Sequence, residues 1–235
     1  MVNLETLDFA NKYVIPINIG NEEFYITQSM ISTWIVMAVL IILALVIRYS
    51  LKNFETIPKG FQNGIEAFVE IFDSFTSTTM GEHNKRFASF YGSMFLFILF
   101  SNLWGLLGFR PPTSDYATTA VMALTTFTMV QFYGIKTQGI KRYLKGFLEP
   151  MPFLLPLNII GELANPISLS FRLFGNIAGG LVIMGLIYAA LPGIFKIGIP
   201  AVLHIYFDIF AGVLQAFIFV MLSMIFVSGS IATEE

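Results

Sequence analysis

The sequence predicts an all-α membrane protein, and three observations carry that prediction. Of 235 residues, 56% are hydrophobic and only 12% charged, with a mean hydropathy of +0.75, outside the usual balance of soluble domains. The apolar residues gather into runs of bilayer length, separated by short basic or Pro/Gly-containing segments. Inside those runs the few ionisable side chains fall on polar stripes with helical spacing. The expected architecture is a single integral membrane domain over 1–235. It comprises one N-terminal transmembrane helix, a surface amphipathic helix, a transmembrane hairpin and two long, steeply inclined membrane helices.

Residues 1–28 are polar and read as an exposed lead-in with room for one short helix. With Glu5, Asp8 and Lys12 among its first residues, no cleavable signal peptide is expected. The uncharged run 29–47 has the length that a bilayer's hydrocarbon core requires and is the first span. In 57–80, Phe61, Ile65, Phe68, Val69, Phe72 and Phe75 recur at helical spacing while Glu66, Glu70 and Asp73 take other faces. That pattern predicts a helix lying on the membrane surface. Runs 87–108 and 116–135 flank the turn Arg110-Pro111-Pro112-Thr113-Ser114-Asp115 and form a helical hairpin over 87–135. The last two runs, 152–191 and 198–231, would reach roughly 60 and 50 Å as continuous helices, against a hydrocarbon core of ~30 Å. They must incline strongly, break, or both.

Orientation follows from Lys and Arg outside the spans. Arg48, Lys52, Lys59, Lys85, Arg86, Lys136, Lys141, Arg142 and Lys145 fall on one side, and Lys12, Arg110 and Lys196 on the other. The positive-inside rule puts the first group in the cytoplasm, the N-terminus outside and the C-terminal Thr233-Glu234-Glu235 inside. A multi-pass protein of the cell (plasma) membrane is expected.

The element around which the chain is organised is the 152–191 run, because it holds Arg172. An arginine at bilayer depth costs roughly 2.5–3.5 kcal/mol on insertion scales, so it faces protein or water and has a partner. At ~100° per residue, Gly161, Asn165, Ser168, Arg172, Gly175 and Gly179 share roughly an 80° arc, with Asn176 on its edge. This small, polar stripe suits water or a closely approaching second surface. In the last run His204, Asp208, Ala211 and Gln215 share roughly a 60° arc by the same arithmetic, and Asp208 is the one carboxylate there. His204 reads either as a hydrogen-bonded histidine near the membrane edge or as a proton relay. Glu162, ten residues before Arg172, reads either as a carboxylate paired with a nearby Lys or Arg, or as the mouth of a path to the cytoplasm.

The stretch Pro166-Ile167-Ser168-Leu169-Ser170-Phe171-Arg172-Leu173-Phe174-Gly175-Asn176 resembles the signature of the subunit a family of bacterial F-type rotary ATP synthases, where a P-[IVL]-S-L-x-x-R-L-x-x-N pattern carries an essential arginine. Gln215-Ala216-Phe217-Ile218-Phe219 resembles the family's Q-A-F-I-F run, and Pro58-Lys59-Gly60-Phe61-Gln62 its P-x-x-x-Q entry to the surface helix. The likeness covers 57–230 and is strongest over 158–219. It implies the static ion-conducting subunit of the membrane sector, whose two aqueous half-channels deliver protons or Na⁺ to the carboxylates of a rotating c-ring. Arg172 would separate the half-channels, with Gln215 as its neighbour. Asn176 and Asp208 match positions on the outer path, Asp208 standing where relatives carry histidine or glutamate. Asn102 matches a polar position of the hairpin. Two positions depart from the pattern: Leu181 stands where relatives often place an acid or histidine, and Gly105 replaces an aspartate of some relatives. The implied partners are the c-ring, the peripheral-stalk subunit b, the remaining synthase subunits and the lipid bilayer.

Other classes find less support. A net charge of −2 argues against nucleic acid, and zero cysteines leave no thiolate metal site. Phosphate-loop, zinc-pair and nucleophile-elbow motifs are missing, so the chain is not expected to be an enzyme on its own or to use a cofactor or metal. A secondary transporter or free-standing channel using Arg172 and Asp208 is the alternative, though such proteins usually show repeated halves. An intramembrane hydrolase would need Ser168 or Ser170 beside His204.

Overall fold

A computed structural model describes residues 13–19, 22–52, 59–193 and 195–231. The expectations for the first twelve residues, for Pro58 and for the C-terminal Thr233-Glu234-Glu235 lie outside the described residues. Over its described residues, 13–19 and 22–27, the lead-in is strand and not helix. Tyr13–Ile19 (β1) and Glu22–Thr27 (β2) pair antiparallel into a hairpin, with Ile17 opposite Phe24 and Pro16 opposite Tyr25. Val14, Ile15, Ile17, Ile19 and Tyr25 are strand-forming residues in a segment too short for a stable helix, and Gly20-Asn21 between them carries turn chemistry.

Among the described residues eight α-helices follow, and four helical spans, Gln28–Ser50, Glu82–Leu107, Pro152–Ala190 and Gly198–Ser230, are long and apolar enough to cross a membrane; the threonine-rich second arm of the hairpin is not among them. The first helix, α1, Gln28–Ser50, starts at Thr27, whose hydroxyl caps the Met30 amide (3.4 Å). Only Ser29, Ser32 and Val36 of α1 are buried, while Ile41, Ile42 and Leu45 are wide open, as suits a helix sheathed in lipid. Helix α2, Phe61–Met80, turns Ile65, Phe68, Phe72 and Phe75 inward but leaves Phe61 and Val69 exposed. Its aromatic stripe packs on other helices: Phe72 meets Phe95 (5.2 Å between ring centroids) and Phe75 stacks on Phe217 (5.2 Å).

The hairpin is α3, Ala88–Leu103, and α4, Tyr116–Gln138. After α3 a 3₁₀ turn, Trp104–Leu107, ends at Gly108 with φ +78°, a left-handed conformation that glycine adopts without a Cβ clash. Asp115 caps the Ala117 amide at the start of α4 (3.0 Å). It also accepts the Ser29 hydroxyl of α1 (2.6 Å), so the beginnings of α1 and α4 lie at the same end of the bundle. At the far end the Gln138 amide donates to the Ser230 carbonyl (2.9 Å). Helix α4 carries many threonines, and Thr125, Thr126 and Thr128 return their hydroxyls to the carbonyls of Val121, Met122 and Leu124. Those bonds satisfy groups that lipid cannot. The short α5, Ile140–Gly146, folds back after Gly139 (φ +76°).

Helix α6 runs Leu155–Ala190 through Pro166 without a break. The last run begins earlier than expected: α7 is Phe195–His204, so Lys196 lies in its first turn and Arg172 is not the one basic residue of the two long helices. Ile205–Phe210 is π-helix, and α8 continues as Ala211–Ser230. Each long element spans ~54 Å at 1.5 Å per residue. Only inclination or projection beyond the hydrocarbon core accommodates that length. The core is shared by α3, α4, α6 and α8, through Tyr91, Ile98, Ala123, Leu169, Leu173, Phe219 and Met224. Between lipid-solvated helices, close packing and small residues supply this cohesion.

Candidate functional site

The buried side of α6 is Leu169, Ser170, Leu173, Ile177, Gly180 and Met184. The same helical period therefore turns the polar stripe outward: Gly161, Ser168, Arg172 and Gly175 are exposed, and Asn165, Asn176 and Gly179 partly so. A Cβ built on Gly161, Gly175 or Gly179 would meet no atom within 4 Å. These glycines hold open a flat face that no part of the described chain covers. Among the described residues Arg172 makes no hydrogen bond and no ion pair. A guanidinium midway along an apolar helix, with five donors not used within the described chain, is able to bind a group from outside it.

The expected Arg172–Gln215 proximity does not take the form of a hydrogen bond. Gln215 is buried on α8 with its Nε2 unpartnered. An unmet buried amide costs ~1–3 kcal/mol.

The second cluster is bonded within itself. His204 Nδ1 lies 2.5 Å from Asp208 Oδ2, and His204 Nε2 lies 3.1 Å from the Tyr188 hydroxyl. Asp208 sits inside the π segment, where i→i+5 closure puts more residues in each turn and retards the rotation of everything beyond it. The even 60° stripe expected from 100° steps is therefore altered: His204 and Asp208 still meet, but Ala211 and Gln215 lag behind the positions that 100° steps would give them. Two asparagines hold the junction. Asn102 of α3 donates its amide to the Gly212 carbonyl (2.9 Å) and accepts the Thr113 hydroxyl (2.8 Å), all buried. Asn176 of α6 donates to the Ala211 carbonyl (3.4 Å). Asn176 thus stands between the Asp208 turn and Arg172, one helical turn away on α6, whereas Asn102, 2% exposed, is a buried bracket. Leu181 adds no polar group.

Among the described residues Glu162 is paired with neither Lys nor Arg. It accepts the Gln131 amide of α4 (3.0 Å), and Gln131 in turn accepts the Tyr143 hydroxyl of α5 (2.7 Å). Burial, and next the charge of Glu162, push the Tyr143 phenol above its ordinary pKa, so it stays a donor. The hydrolase pairing does not form. Ser170 is buried and donates to the Ile167 carbonyl (2.9 Å), and the ring nitrogens of His204 are engaged elsewhere. No group of three or more potential metal ligands occurs among the described residues.

Sequence reasoning missed Tyr188, Gln131, Tyr143 and the π segment. Gln131 had a signal, being a long amide inside the apolar part of α4. Tyr188 had none, since its partner lies across the connection between two helices.

A multi-helix membrane chain with an unpaired cation on an open polar face, and separate titratable clusters beside it, is an ion-translocating membrane protein. Comparison with known proteins places it more narrowly. The family model described as ATP synthase A chain matches residues 30–228. The chain is 39% identical over 228 residues to the sodium ion specific ATP synthase subunit a of Propionigenium modestum, covering 90% of this chain and 76% of that one. It is 36% identical to ATP synthase subunit a of Moorella thermoacetica, with 87% and 90% covered, and 40% identical to that of Nitratidesulfovibrio vulgaris, with 84% and 83% covered. The chain belongs to the ATP synthase subunit a family, the ion-translocating component of the membrane sector. The transporter alternative is not favoured.

Proposed function

We propose that this chain is the static half of a rotary ion path, with two half-channels that meet at Arg172. The observation that carries the reading is the exposed, unpartnered Arg172 on a face kept open by Gly161, Gly175 and Gly179. That face suits a rotating c-ring whose subunits each present a membrane carboxylate. A nearby fixed cation favours the ionised carboxylate, so each one arriving at Arg172 gives up its ion, and the same charge repels cations that would leak straight through. One charge crossing 100 mV supplies ~2.3 kcal/mol, so several passages accompany each ATP.

Asp208, with His204 and Tyr188, serves the outer half-channel, and Asn176 connects that cluster to the Arg172 turn. Glu162 serves the inner one, with Asn165 and Ser168 lining the approach and Gln215 completing the surroundings of Arg172. The ring's own ligands choose between H⁺ and Na⁺, and one relative is named for sodium. The chain itself performs no ATP chemistry. Its further partners are the peripheral-stalk subunit b and the remaining synthase subunits. The N-terminus lies outside and the C-terminus in the cytoplasm of the plasma membrane, on the strength of the basic clusters at the α3 start and the α4–α5 end.

The deciding experiment uses the whole complex in vesicles. Arg172→Ala is expected to assemble and to lose ATP-driven pumping, whereas near-normal coupled pumping would return the transporter reading to first place.

A further inference from the structure

The inner mouth proposed at Glu162 leaves two polar side chains without a role. Tyr143, Gln131 and Glu162 form a directed chain, with the phenol donating to Gln131 Oε1 and Gln131 Nε2 donating to Glu162 Oε1. A primary amide has one accepting end and one donating end. With the phenol occupying the accepting end, the donating end is held towards the carboxylate. The second carboxylate oxygen, Oε2, has no partner among the described residues.

The seat of Tyr143 is built by a close approach. A Cβ on Gly134 of α4 would lie 2.6 Å from Tyr143 Cε2, closer than atoms pack, so glycine at 134 is what lets the ring lie against α4. Around this chain lies a cavity of about 390 Å³ between α4, α5 and α6, walled by Phe127, Ile135, Leu144 and Leu155. Its titratable or charged lining groups are Glu162 and Tyr143. Glu162 also lines a smaller space with Asn165 and Pro166, two turns before Arg172. It therefore stands at the wall shared by a mouth at the α5 end and a small space between α4, α6 and α8.

We propose that Gln131 and Tyr143 are positioning residues for ion exchange at the cytoplasmic mouth. Helix α5 seats Tyr143 against Gly134, Tyr143 fixes the amide of Gln131, and Gln131 holds the Glu162 carboxylate with one oxygen turned to the arriving ion. This rests on Glu162 lying on the inner path. Without the phenol the amide is free to flip and set its carbonyl against the carboxylate. Without the amide, Glu162 loses the donor that competes with an ion and binds that ion more tightly.

The test is ATP-driven pumping by the reconstituted complex, matched for assembled subunit content. It is assayed against graded H⁺ at the cytoplasmic face, and against graded Na⁺ at fixed pH. Tyr143→Phe, Gln131→Leu and Gly134→Ala are each expected to lower the half-saturating ion concentration at that face by about threefold or more. Half-saturation at the outer face should not change. In a Glu162→Gln background none of the three should act further. If Glu162→Gln alters half-saturation but Tyr143→Phe and Gln131→Leu do not, or act equally with and without Glu162, the positioning role is overturned while the inner-path reading stands. If Glu162→Gln behaves as wild type, the inner-path reading fails and the positioning role with it.

Discussion

Two polar regions of this molecule sit a few turns apart and are built in opposite ways. The face of α6 around Arg172 is open, since a Cβ on its glycines would meet nothing within 4 Å and the arginine bonds to nothing within the described chain. The turn around Asp208 is closed, for Tyr188, His204 and Asp208 bond to one another, and Asn102 and Asn176 hold the backbone beside them. In a membrane an unsatisfied polar group is expensive, so the difference is informative. A cluster that completes itself can work with ions and water alone. A cation left incomplete suits the docking surface proposed for it.

Four experiments press on that contrast, beginning with the greatest expected loss. Arg172→Ala should reduce coupled ATP synthesis and ATP-driven pumping to background in an assembled complex, and Arg172→Lys should be severely impaired because it keeps the charge without the planar fork. The open face should also be sensitive to bulk where the closed cluster is not. A Cβ at Gly175 meets no atom within 4 Å in this chain, yet Gly175→Leu should cut pumping about tenfold or more, because a close second surface is then held away. Wild-type pumping by that variant would mean that no surface approaches there.

The closed cluster should yield smaller, graded effects. Asp208→Asn is expected to slow translocation several-fold without loss of assembly, and Tyr188→Phe to slow it less, because His204 keeps its bond to Asp208. Stopped-flow measurement of ion uptake would rank them, and equal rates for Asp208→Asn and wild type would make the cluster purely structural. The mildest functional change should come from Asn102→Leu, which acts on stability. Removing its amide strips the buried Thr113 hydroxyl and the Gly212 carbonyl of a partner, at a cost of ~1–3 kcal/mol. Thermal dissociation of the complex should shift downwards, with pumping per intact complex little altered.

Orientation offers a separate check. A cysteine at Thr137 should resist membrane-impermeant labelling from outside intact cells, and efficient labelling there would invert the topology.

Much of the fold was legible because a bilayer reads a sequence simply: an uncharged run of sufficient length becomes a helix. The places of α1, α3, α4, α6 and the last helix, and the outward polar stripe of α6, follow from hydropathy and a 100° step. Arg172 was found by the same means, since a permanent charge in an apolar run stands out in one dimension. The strands at 13–19 and 22–27 were not legible because a short mixed segment holds no period long enough to separate a hairpin from a helix. Glu162 was offered Lys and Arg as partners because charge is what a sequence displays, while its actual partner is a neutral amide on another helix. The regular stripe over His204, Asp208 and Gln215 assumed uniform steps, and the π segment that breaks them carries no composition signal.

What the sequence determined by itself is the class of protein, the run of its helices and the location of its fixed charge. All three depend on transfer from water to lipid, which acts residue by residue. What only the tertiary structure decided is which groups are satisfied and which are left waiting. Tyr188 reaches His204, Gln131 reaches Glu162, Asn102 and Asn176 clasp the carbonyls beyond the π turn, and Arg172 reaches no one. Those outcomes depend on hydrogen bonds of about 3 Å between side chains of different helices, whose phase and crossing are set by packing and leave no trace in linear spacing.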